Sequence, residues 1–354
     1  MSPASVTELL AFDEVIDVRA PSEFAEDHIP GAINLPVLSD AERERVGTLY
    51  KQVSSFEAKK MGAALVARNI AHTLEGYLAN KPKSYRPLVY CWRGGSRSSS
   101  LTHVLQKIGF PAMQLDGGYK AYRRHVISEL ARLPSLFAYL VVCGTTGSGK
   151  SRLLLELEKA GAQVLDLEVL AAHRGSLLGA LPDQPQPPQK SFESAIWSAL
   201  SHFDPQRTVY VESESKKIGA LRVPETLITA MRASACVRLE VPLEARVKLL
   251  TEDYAHFLRD PETINRLLAL LIPLRGSETV TAWQELANKQ AWDQLVSTLL
   301  AQHYDPAYLK SLATNYATAP TDLGFATADL SASGLQQLAQ DILKADPSSL
   351  SDLK

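Results

Sequence analysis

The most reactive group in this sequence is a single cysteine in a glycine-containing loop. Cys91 follows the apolar run 88–90 and precedes a helical pattern of apolar residues that includes Leu101. A loop between a strand and a helix surrounds one sulfur with backbone N–H groups and with the positive end of the helix, which favours an anion. We predict sulfur-centred chemistry at Cys91, with Arg97 directed back across the loop toward a bound oxyanion. The predicted loop consists of Trp92, Arg93, Gly94, Gly95 and Ser96.

A second loop has the pattern of a phosphate-binding site. The apolar strand-like run 139–143 leads directly into it, and a helical pattern with Leu153 and Leu157 follows. The loop reads Gly144, Thr145, Thr146, Gly147, Ser148, Gly149, Lys150 and Ser151, which is G-x-x-x-x-G-K-[ST] between a strand and a helix. The glycines let backbone N–H groups surround a diphosphate, Lys150 can reach the terminal phosphate, and Ser151 can ligate Mg²⁺. ATP or GTP is the default ligand of such a loop.

Three further strand-like runs alternate with helical segments and predict a parallel sheet. They lie at residues 163–167, 208–211 and 235–241. Glu212, at the end of the second run, occupies the place of an acid that orders Mg²⁺, with Asp166 and Glu214 as rivals. We expect no metal held by the protein alone. Arg246 is interpreted either as a phosphate-sensing arginine or as a surface salt bridge.

Length and composition indicate an ordinary soluble globular protein of two domains. The chain has 354 residues, of which 45% are hydrophobic and 21% charged. We place one domain at 1–132 and the other at 133–354. The three cysteines are far apart, which predicts neither a disulfide framework nor a zinc site and fits the reduced cytoplasm. No export signal is predicted, and the longest apolar run, 267–274, is far shorter than the ~20 residues that span a bilayer.

The net charge of −2 gives no general attraction to nucleic acid, so any such binding must depend on a local patch. Residues 216–250 hold seven basic and three acidic side chains. Lys216, Lys217 and Arg222 are therefore candidates for binding a polyanion, and scattered solvated charges are the alternative. The remainder of the chain is predicted to be mostly helical.

The first third of the chain resembles a rhodanese domain, that is, a sulfurtransferase fold. The resemblance covers about residues 5–130 and rests on the Cys91 loop and on the motifs Asp17-Val18-Arg19, Glu23-Phe24, His28-Ile29-Pro30-Gly31-Ala32 and Leu115-Asp116-Gly117-Gly118. It implies that Cys91 carries a persulfide held by loop amides. Common rhodaneses have the arginine five positions after the cysteine, whereas Arg97 is six after Cys91. The longer loop is similar to that of rhodanese-fold phosphatases and can admit a phosphate-like group.

A rhodanese domain followed by a P-loop domain resembles the tRNA 2-selenouridine synthase family. The second-domain motifs are Asp166-Leu167-Glu168, His173-Arg174-Gly175-Ser176, Gln184-Pro185, Phe192-Glu193, Glu212-Ser213-Glu214-Ser215 and Ile218-Gly219. The resemblance implies an α/β fold with a helical C-terminal part. It also implies replacement of sulfur by selenium in 2-thiouridine at wobble position 34 of tRNA. The implied co-substrates are selenophosphate and geranyl diphosphate, with an S-geranyl intermediate, Mg²⁺, and a selenophosphate-producing enzyme as a further partner.

Two other interpretations remain open at this point. One is a sulfurtransferase fused to an ATP-dependent small-molecule kinase. The other is a nucleotide-gated adaptor with a vestigial rhodanese domain. The intact Cys91 loop argues against the adaptor, because a vestigial domain need not keep the thiol, the glycines and the arginine together.

Overall fold

The computed structural model describes residues 3–176, 178–181, 184–254, 261–316 and 322–346. Contacts divide the chain into two units, one made of residues 1–130 and 188–198 and the other of 131–187 and 199–354. The sequence-based division assigned 188–198 to the second domain, whereas the contacts place this segment with the first. Pro182 and Asp183 belong to a proline-rich stretch whose composition predicts a linker and whose position in the sequence also suits a substrate lid; both residues lie outside the described ones.

The first unit contains a four-stranded parallel sheet of order β2-β1-β3-β4. Its elements are β1 (Glu14–Asp17), α1 (Pro21–Glu26), β2 (Ile33–Asn34), α2 (Asp40–Gln52), α3 (Ser55–Glu75), β3 (Pro87–Tyr90), α4 (Ser96–Ile108), β4 (Met113–Gln114) and α5 (Gly118–Arg132). All four residues of β3 are buried, as expected for a central parallel strand with both faces covered. Gly109, at φ 112°, ends α4 in the left-handed conformation that glycine allows. Cys91 therefore directly follows an inner strand of the sheet.

A buried ion pair stabilises the start of this unit. Arg19 donates to Asp17, with Nη2 2.6 Å from Oδ2, and both side chains are almost fully buried. The same Nη2 donates to the carbonyl oxygen of Asp27 over 2.7 Å. His28 Nδ1 lies 2.9 Å from the carbonyl oxygen of Phe24, at the end of α1. These contacts give Asp17, Arg19 and His28 structural roles in the first unit.

The second unit is built on a five-stranded parallel sheet of order β11-β10-β5-β7-β6. Its strands and helices, with α8 shared between the units, are β5 (Tyr139–Gly144), α6 (Lys150–Lys159), β6 (Gln163–Leu165), α7 (Leu167–Ala171), α8 (Gln189–His202), β7 (Val209–Glu212), β8 (Lys217–Ile218), β9 (Leu221–Arg222), α9 (Glu225–Arg232), β10 (Ala235–Glu240), α10 (Leu243–Asp253), α11 (Pro261–Ala269), α12 (Ile272–Arg275), α13 (Ser277–Asn288), α14 (Trp292–Leu299), α15 (Asp305–Asn315), β11 (Asp322–Ala326) and α16 (Ala332–Ala345). The parallel sheet predicted from three strand-like runs is thus confirmed. The edge strand β11 was not predicted, because it is short and its side chains alternate only between exposed and half-buried.

Segment 188–198 joins the first unit through polar and aromatic contacts. Ser194 donates to Asp27 over 3.1 Å, and Arg123 of α5 forms an ion pair with Glu193. Trp197 packs edge-on against Tyr122, with 5.5 Å between the ring centroids. The motif Phe192-Glu193 therefore contributes to the core and the surface charge of the first unit.

The helices after residue 261 pack around their own apolar cluster. Trp283 of α13 is 1% exposed and lies among Leu268, Val280, Leu295 and Leu299. The predicted helical C-terminal part is therefore present as a packed element of the second unit. Among the described helices, none is both long enough and apolar enough to span a bilayer.

Candidate functional site

A short chain of hydrogen bonds ends at the thiol of Cys91. Cys91 is 3% exposed, and Ser98 Oγ of α4 lies 3.1 Å from its Sγ. Gln114 of β4 donates from Nε2 to Ser98 Oγ over 2.8 Å. Because the amide of Gln114 occupies a lone pair of the hydroxyl, the Ser98 proton is free to point to the sulfur or to the carbonyl oxygen of Gly95, 3.2 Å away. This chain can stabilise negative charge on sulfur, and neither Ser98 nor Gln114 was singled out in the sequence.

The backbone of the cysteine loop is held by the first turn of α5. The amide of Tyr119 donates to the carbonyl oxygen of Cys91 over 2.8 Å, and the amide of Lys120 donates to that of Trp92 over 3.0 Å. Gly118 has φ 56°, and a Cβ there would overlap the carbonyl oxygen of Cys91. Only glycine fits this close approach, which explains the Gly117-Gly118 pair of the rhodanese-like motif.

Contrary to the prediction, the side chain of Arg97 does not point across the cysteine loop toward the position of a bound oxyanion. Its guanidinium group pairs with Glu23 of α1, with Nη1 2.7 Å from Oε2 and Nη2 3.4 Å from Oε1. Burial alone would raise the pKa of Glu23, but hydrogen bonds and charge from Arg97 outweigh it and lower the pKa. The half-buried carboxylate needs a counter-charge, and Arg97 supplies it.

The other loop residues face outward. Trp92 is 37% exposed and stacks on Tyr119, with 5.2 Å between centroids. Arg93 and Gly95 are exposed, and Gly94 takes φ 67°. Ser96 is the first residue of α4. An exposed indole and guanidinium beside the thiol suit a planar, negatively charged partner.

The phosphate loop connects β5 to α6 as predicted. Gly147 and Gly149 take φ 82° and 78°, and α6 begins at Lys150. Lys150 Nζ donates to the carbonyl oxygen of Gly144 over 2.7 Å, and Ser151 Oγ donates to Glu168 Oε2 over 2.9 Å. The loop opens into a cavity of about 380 Å³, which we call the cradle cavity. The loop residues that line this cavity are Thr146, Gly147, Ser148, Gly149, Lys150 and Ser151. Gly144 and Thr145 line a neighbouring cavity instead.

The C-terminal helices support this loop from one side. Tyr308 Oη accepts from the amide of Gly144 over 2.7 Å and lies 2.8 Å from Ser213 Oγ. Arg246 is buried and pairs with Asp305 through both terminal nitrogens, at 2.8 and 2.7 Å. Arg246 is thus neither a free phosphate sensor nor a surface salt bridge, because Asp305 neutralises it in the interior.

Four acids lie close to the phosphate loop, and Glu212, the first candidate for ordering Mg²⁺, is not among those that line the cavity. Glu168 and Glu214 line it, whereas Glu212 is 1% exposed and lies behind them. Glu212 Oε1 accepts from the amide of Glu168 over 2.9 Å, and Asp166 accepts from the amide of Val169 as the N-cap of α7. Glu212 and Asp166 therefore position the α7 segment that carries Glu168. Glu168 belongs to the motif Asp166-Leu167-Glu168, but its residue type and spacing alone do not indicate a role for it.

These acids lie close enough to repel one another. Burial, with the charges of Asp166, Glu214 and Glu168, raises the pKa of Glu212 well above its ordinary value. Burial and Glu168 raise the pKa of Glu214 to about 8, and burial raises that of Asp166 to about 6. Glu212 Oε2 is buried without a hydrogen-bond partner among the described residues. An acidic cluster with an orphaned oxygen fits a hard divalent cation such as Mg²⁺.

Ser151, Glu168 and Glu214 are the residues that would hold such an ion. Within the described part of the chain, no three His, Cys, Asp or Glu side chains form a group able to hold a metal by themselves. A bound diphosphate would supply the remaining oxygens, since Mg²⁺ in proteins is commonly shared between carboxylates and substrate phosphates.

The motif His173-Arg174-Gly175-Ser176 crosses the rim of the cradle cavity. Arg174 donates to the carbonyl oxygen of Asp253 over 3.0 Å, and its guanidinium lies 4.8 Å from the centroid of the Tyr254 ring. Arg152 of α6 pairs with the side chain of Asp253 at 2.5 Å. Both arginines line the cavity, so they can add positive charge where an anion would bind. Sequence reasoning gave them no role.

The predicted basic patch is partly neutralised. Lys216 pairs with Glu225 at 2.7 Å, Arg238 pairs with Asp322, and Arg246 is buried with Asp305. Lys217 and Arg222 are exposed and face each other across the short β8–β9 hairpin. The polyanion role of Lys216, Lys217 and Arg222 stays a prediction, now confined to this hairpin.

Comparison with known proteins places these two units in one family. Residues 2–125 match the rhodanese-like domain family, and residues 137–266 match the family described as tRNA 2-selenouridine synthase AAA domain. A tRNA 2-selenouridine synthase of Hydrogenovibrio crunogenus is 35% identical over 323 residues, covering 83% of this chain and 88% of that protein. That of Marinobacter nauticus is 33% identical, covering 83% and 87%.

A third relative, the tRNA 2-selenouridine synthase of Nitrosomonas europaea, is 38% identical over 249 residues. That match covers 69% of this chain and 64% of the relative. Both the domain order and the identity over most of the chain agree with the fold described above, an α/β rhodanese unit with a P-loop unit and a helical C-terminal part. The chain belongs to the tRNA 2-selenouridine synthase family.

Proposed function

We propose that this protein replaces the sulfur of 2-thiouridine with selenium at wobble position 34 of tRNA, in two half-reactions at two sites. The observation that carries the proposal is the presence, in one chain of this family, of a donor-surrounded thiol at Cys91 and a phosphate loop with an acidic cluster. Its relatives are named for 2-selenouridine synthesis on tRNA. A sulfurtransferase fused to a kinase would have both sites as well, so the names of the relatives are what favour selenation over that alternative.

In the first half-reaction, geranyl diphosphate alkylates the thiouridine. The sulfur attacks C1 of the geranyl group, the C–O bond breaks, and diphosphate leaves with the bonding electrons. Lys150, Arg174 and the loop N–H groups would stabilise the charge that develops on the departing diphosphate. Mg²⁺, when held by Ser151, Glu168 and Glu214, would add positive charge at the same place.

The alkylation prepares the second half-reaction, because an alkylated sulfur leaves more readily than a thiocarbonyl sulfur. A selenium nucleophile derived from selenophosphate attacks C2 of the base, and geranyl thiol departs. Cys91 is assigned to selenium handling, supported by the donor chain from Gln114 and Ser98. Arg97 would take part only if an anion in the loop displaced Glu23 from its guanidinium group.

The decisive experiment uses purified protein, thiolated tRNA, geranyl diphosphate and Mg²⁺ with all nucleotides removed. Mass spectrometry of tRNA nucleosides should show S-geranyl-2-thiouridine, and added selenophosphate should convert it to 2-selenouridine. An absolute requirement for hydrolysis of ATP or GTP would contradict the proposal and restore the nucleotide interpretation. In cells, we expect cytoplasmic tRNA of a deletion strain to lack 2-selenouridine, with a selenophosphate-producing enzyme acting upstream.

A further inference from the structure

A second, apolar cavity adjoins the cradle cavity. It lies among α10, α11, α14 and the π-helical turn Leu300–Tyr304, and its lining includes Ile264, Trp292, Leu295, Val296 and Leu299. None of the described residues that line this apolar cleft is charged. Leu295, Leu299 and Ile264 belong to the buried cluster around Trp283 and close the cleft on the inside.

The apolar cleft and the cradle cavity lie side by side and share part of their lining. Thr146, Ser176, Leu250, Tyr254 and Tyr304 line both. Gly147 of the phosphate loop approaches Leu250 so closely that a Cβ on it would lie 2.8 Å from Leu250 Cδ1. A molecule with an anionic head in the loop therefore meets apolar side chains immediately beyond it.

The opposite side of the phosphate loop has a different character. The cavity there, of about 830 Å³, is lined by Arg238 and Glu240 as well as apolar residues such as Leu309. Tyr308 lines this opposite cavity and the cradle cavity alike. Charged groups prefer water to contact with hydrocarbon, so a hydrocarbon chain is accommodated at lower cost in the apolar cleft.

We propose that the apolar cleft holds the isoprenoid chain of an allylic diphosphate whose diphosphate lies in the phosphate loop. This inference rests on the proposed function and specifies the chain-length determinant of that site. The cleft has a volume of about 70 Å³, room for about five water-sized positions. It therefore takes the distal part of a ten-carbon chain, the proximal part lies in the cradle cavity, and the buried leucines set the upper length.

Val296 offers a test because its half-buried side chain lines the cleft without belonging to the buried cluster. Purified protein, thiolated tRNA and Mg²⁺ are supplied with dimethylallyl, geranyl or farnesyl diphosphate, and kcat/KM is measured for each. Val296→Phe should lower the ratio of geranyl to dimethylallyl transfer at least about tenfold. Val296→Ala should raise the ratio of farnesyl to geranyl transfer. The matched control is Leu309→Phe in the opposite cavity, which should leave both ratios as in the wild type.

The outcomes separate the two proposals. Calorimetric binding of inorganic pyrophosphate with Mg²⁺ reports whether each variant keeps an intact cradle, and Val296→Ala keeps the test valid should the larger side chain prevent folding. If the wild type transfers no prenyl group from any diphosphate, the proposed function fails. If the wild type transfers geranyl but the Val296 variants keep the wild-type ratios, or Leu309→Phe changes them, the chain lies elsewhere and this inference is wrong.

Discussion

Single residues for which the sequence analysis states no role complete both candidate sites. Ser98 and Gln114 direct a hydrogen-bond chain at the thiol of Cys91. In the second unit, Glu168 accepts from the hydroxyl of Ser151, and Tyr308 accepts from the first amide of the phosphate loop. Side chains of these types are common everywhere, so only their position shows their roles. Substitutions at this scale should therefore separate the two half-reactions.

Cys91→Ser should abolish 2-selenouridine formation and leave S-geranyl-2-thiouridine detectable, because a hydroxyl cannot replace the thiol in selenium handling. Ser98→Ala keeps the thiol but removes a donor to it. It should reduce selenation by about tenfold to a hundredfold, in line with about 1.5–3 kcal/mol for a hydrogen bond to a charged group. Mass spectrometry of tRNA nucleosides measures both products. Selenation at the wild-type rate by Cys91→Ser would show that the assignment of Cys91 is wrong.

Lys150→Ala should remove geranylation, because it removes a cation that stabilises the departing diphosphate. The expected loss is about 2–4 kcal/mol of transition-state stabilisation for one such donor. Selenation of tRNA that was geranylated beforehand should proceed in the same variant. If the variant lost geranylation and selenation equally, Lys150 would also be needed for folding or for the selenation step.

The Arg97–Glu23 pair predicts a pH-dependent contribution to stability. The folded-state pKa of Glu23 is lowered, so the pair contributes above the ordinary pKa of 4.5 and is lost as the pH falls through the folded value. Arg97→Gln should lower the free energy of unfolding by about 1–2 kcal/mol at pH 7 and by much less near pH 3. Arg43, half-exposed at 3.0 Å from the same carboxylate, provides the milder control Arg43→Gln. A difference that did not shrink in acid would exclude this pair as its source.

At the scale of elements, the short β8–β9 hairpin is the remaining candidate for contact with tRNA. It carries Lys217 and Arg222 in register, with Lys216 immediately before it. Ion pairing removes Arg238 and Arg246 from the patch that the sequence suggested. A hairpin of two-residue strands is small, so we expect its charges to contribute electrostatic attraction to tRNA phosphates rather than base recognition.

Replacing Lys216, Lys217 and Arg222 by Gln should weaken tRNA binding and flatten its dependence on salt. Each phosphate contact contributes about 0.7–0.9 to the slope of log K against log salt, so three lost contacts reduce it by about 2–3. Lys216 already has Glu225 as a partner, so its share should be the smallest. A triple Gln variant at Lys59, Lys289 and Lys344 is the control of equal charge change. If the hairpin variant and this control have the same tRNA affinity and the same salt dependence, the tRNA contact lies elsewhere.

At the scale of the whole molecule, the residues assigned to the two proposed half-reactions belong to different units. Cys91 lies in the first unit and Lys150 in the second, each on its own parallel sheet. The proposed intermediate, geranylated tRNA, would be a covalently complete macromolecule that one copy of the protein could release and another could bind.

A mixture of the Cys91→Ser and Lys150→Ala proteins should therefore restore 2-selenouridine formation, although neither makes it alone. The rate of 2-selenouridine formation should rise with the concentration of the Lys150→Ala protein, because geranylated tRNA must diffuse to it from the Cys91→Ser protein. The prediction is contradicted if each variant performs its own half-reaction but the mixture makes no 2-selenouridine. That result would mean that the intermediate does not leave the protein that forms it.

The sequence alone was sufficient for the two motifs and for the elements that present them. The Cys91 loop and the phosphate loop are local: each needs a strand, a few glycines and a helix start, all adjacent in the chain. The parallel sheet of the second unit follows from regular alternation of apolar runs with helical segments. The buried Asp17–Arg19 pair could likewise be predicted, because its members are two residues apart.

Only the tertiary structure decided which side chains meet across long separations. Arg97 pairs with Glu23 instead of facing the loop, Arg246 is neutralised by Asp305, and Glu168 rather than Glu212 contacts Ser151. The strand β11 pairs with residues more than eighty positions earlier in the chain, and the apolar cleft is lined by residues spread from Thr146 to Tyr304. The physical reason is that a buried charge or cavity is defined by its partners, and packing brings those partners together from parts of the chain that local pattern does not connect.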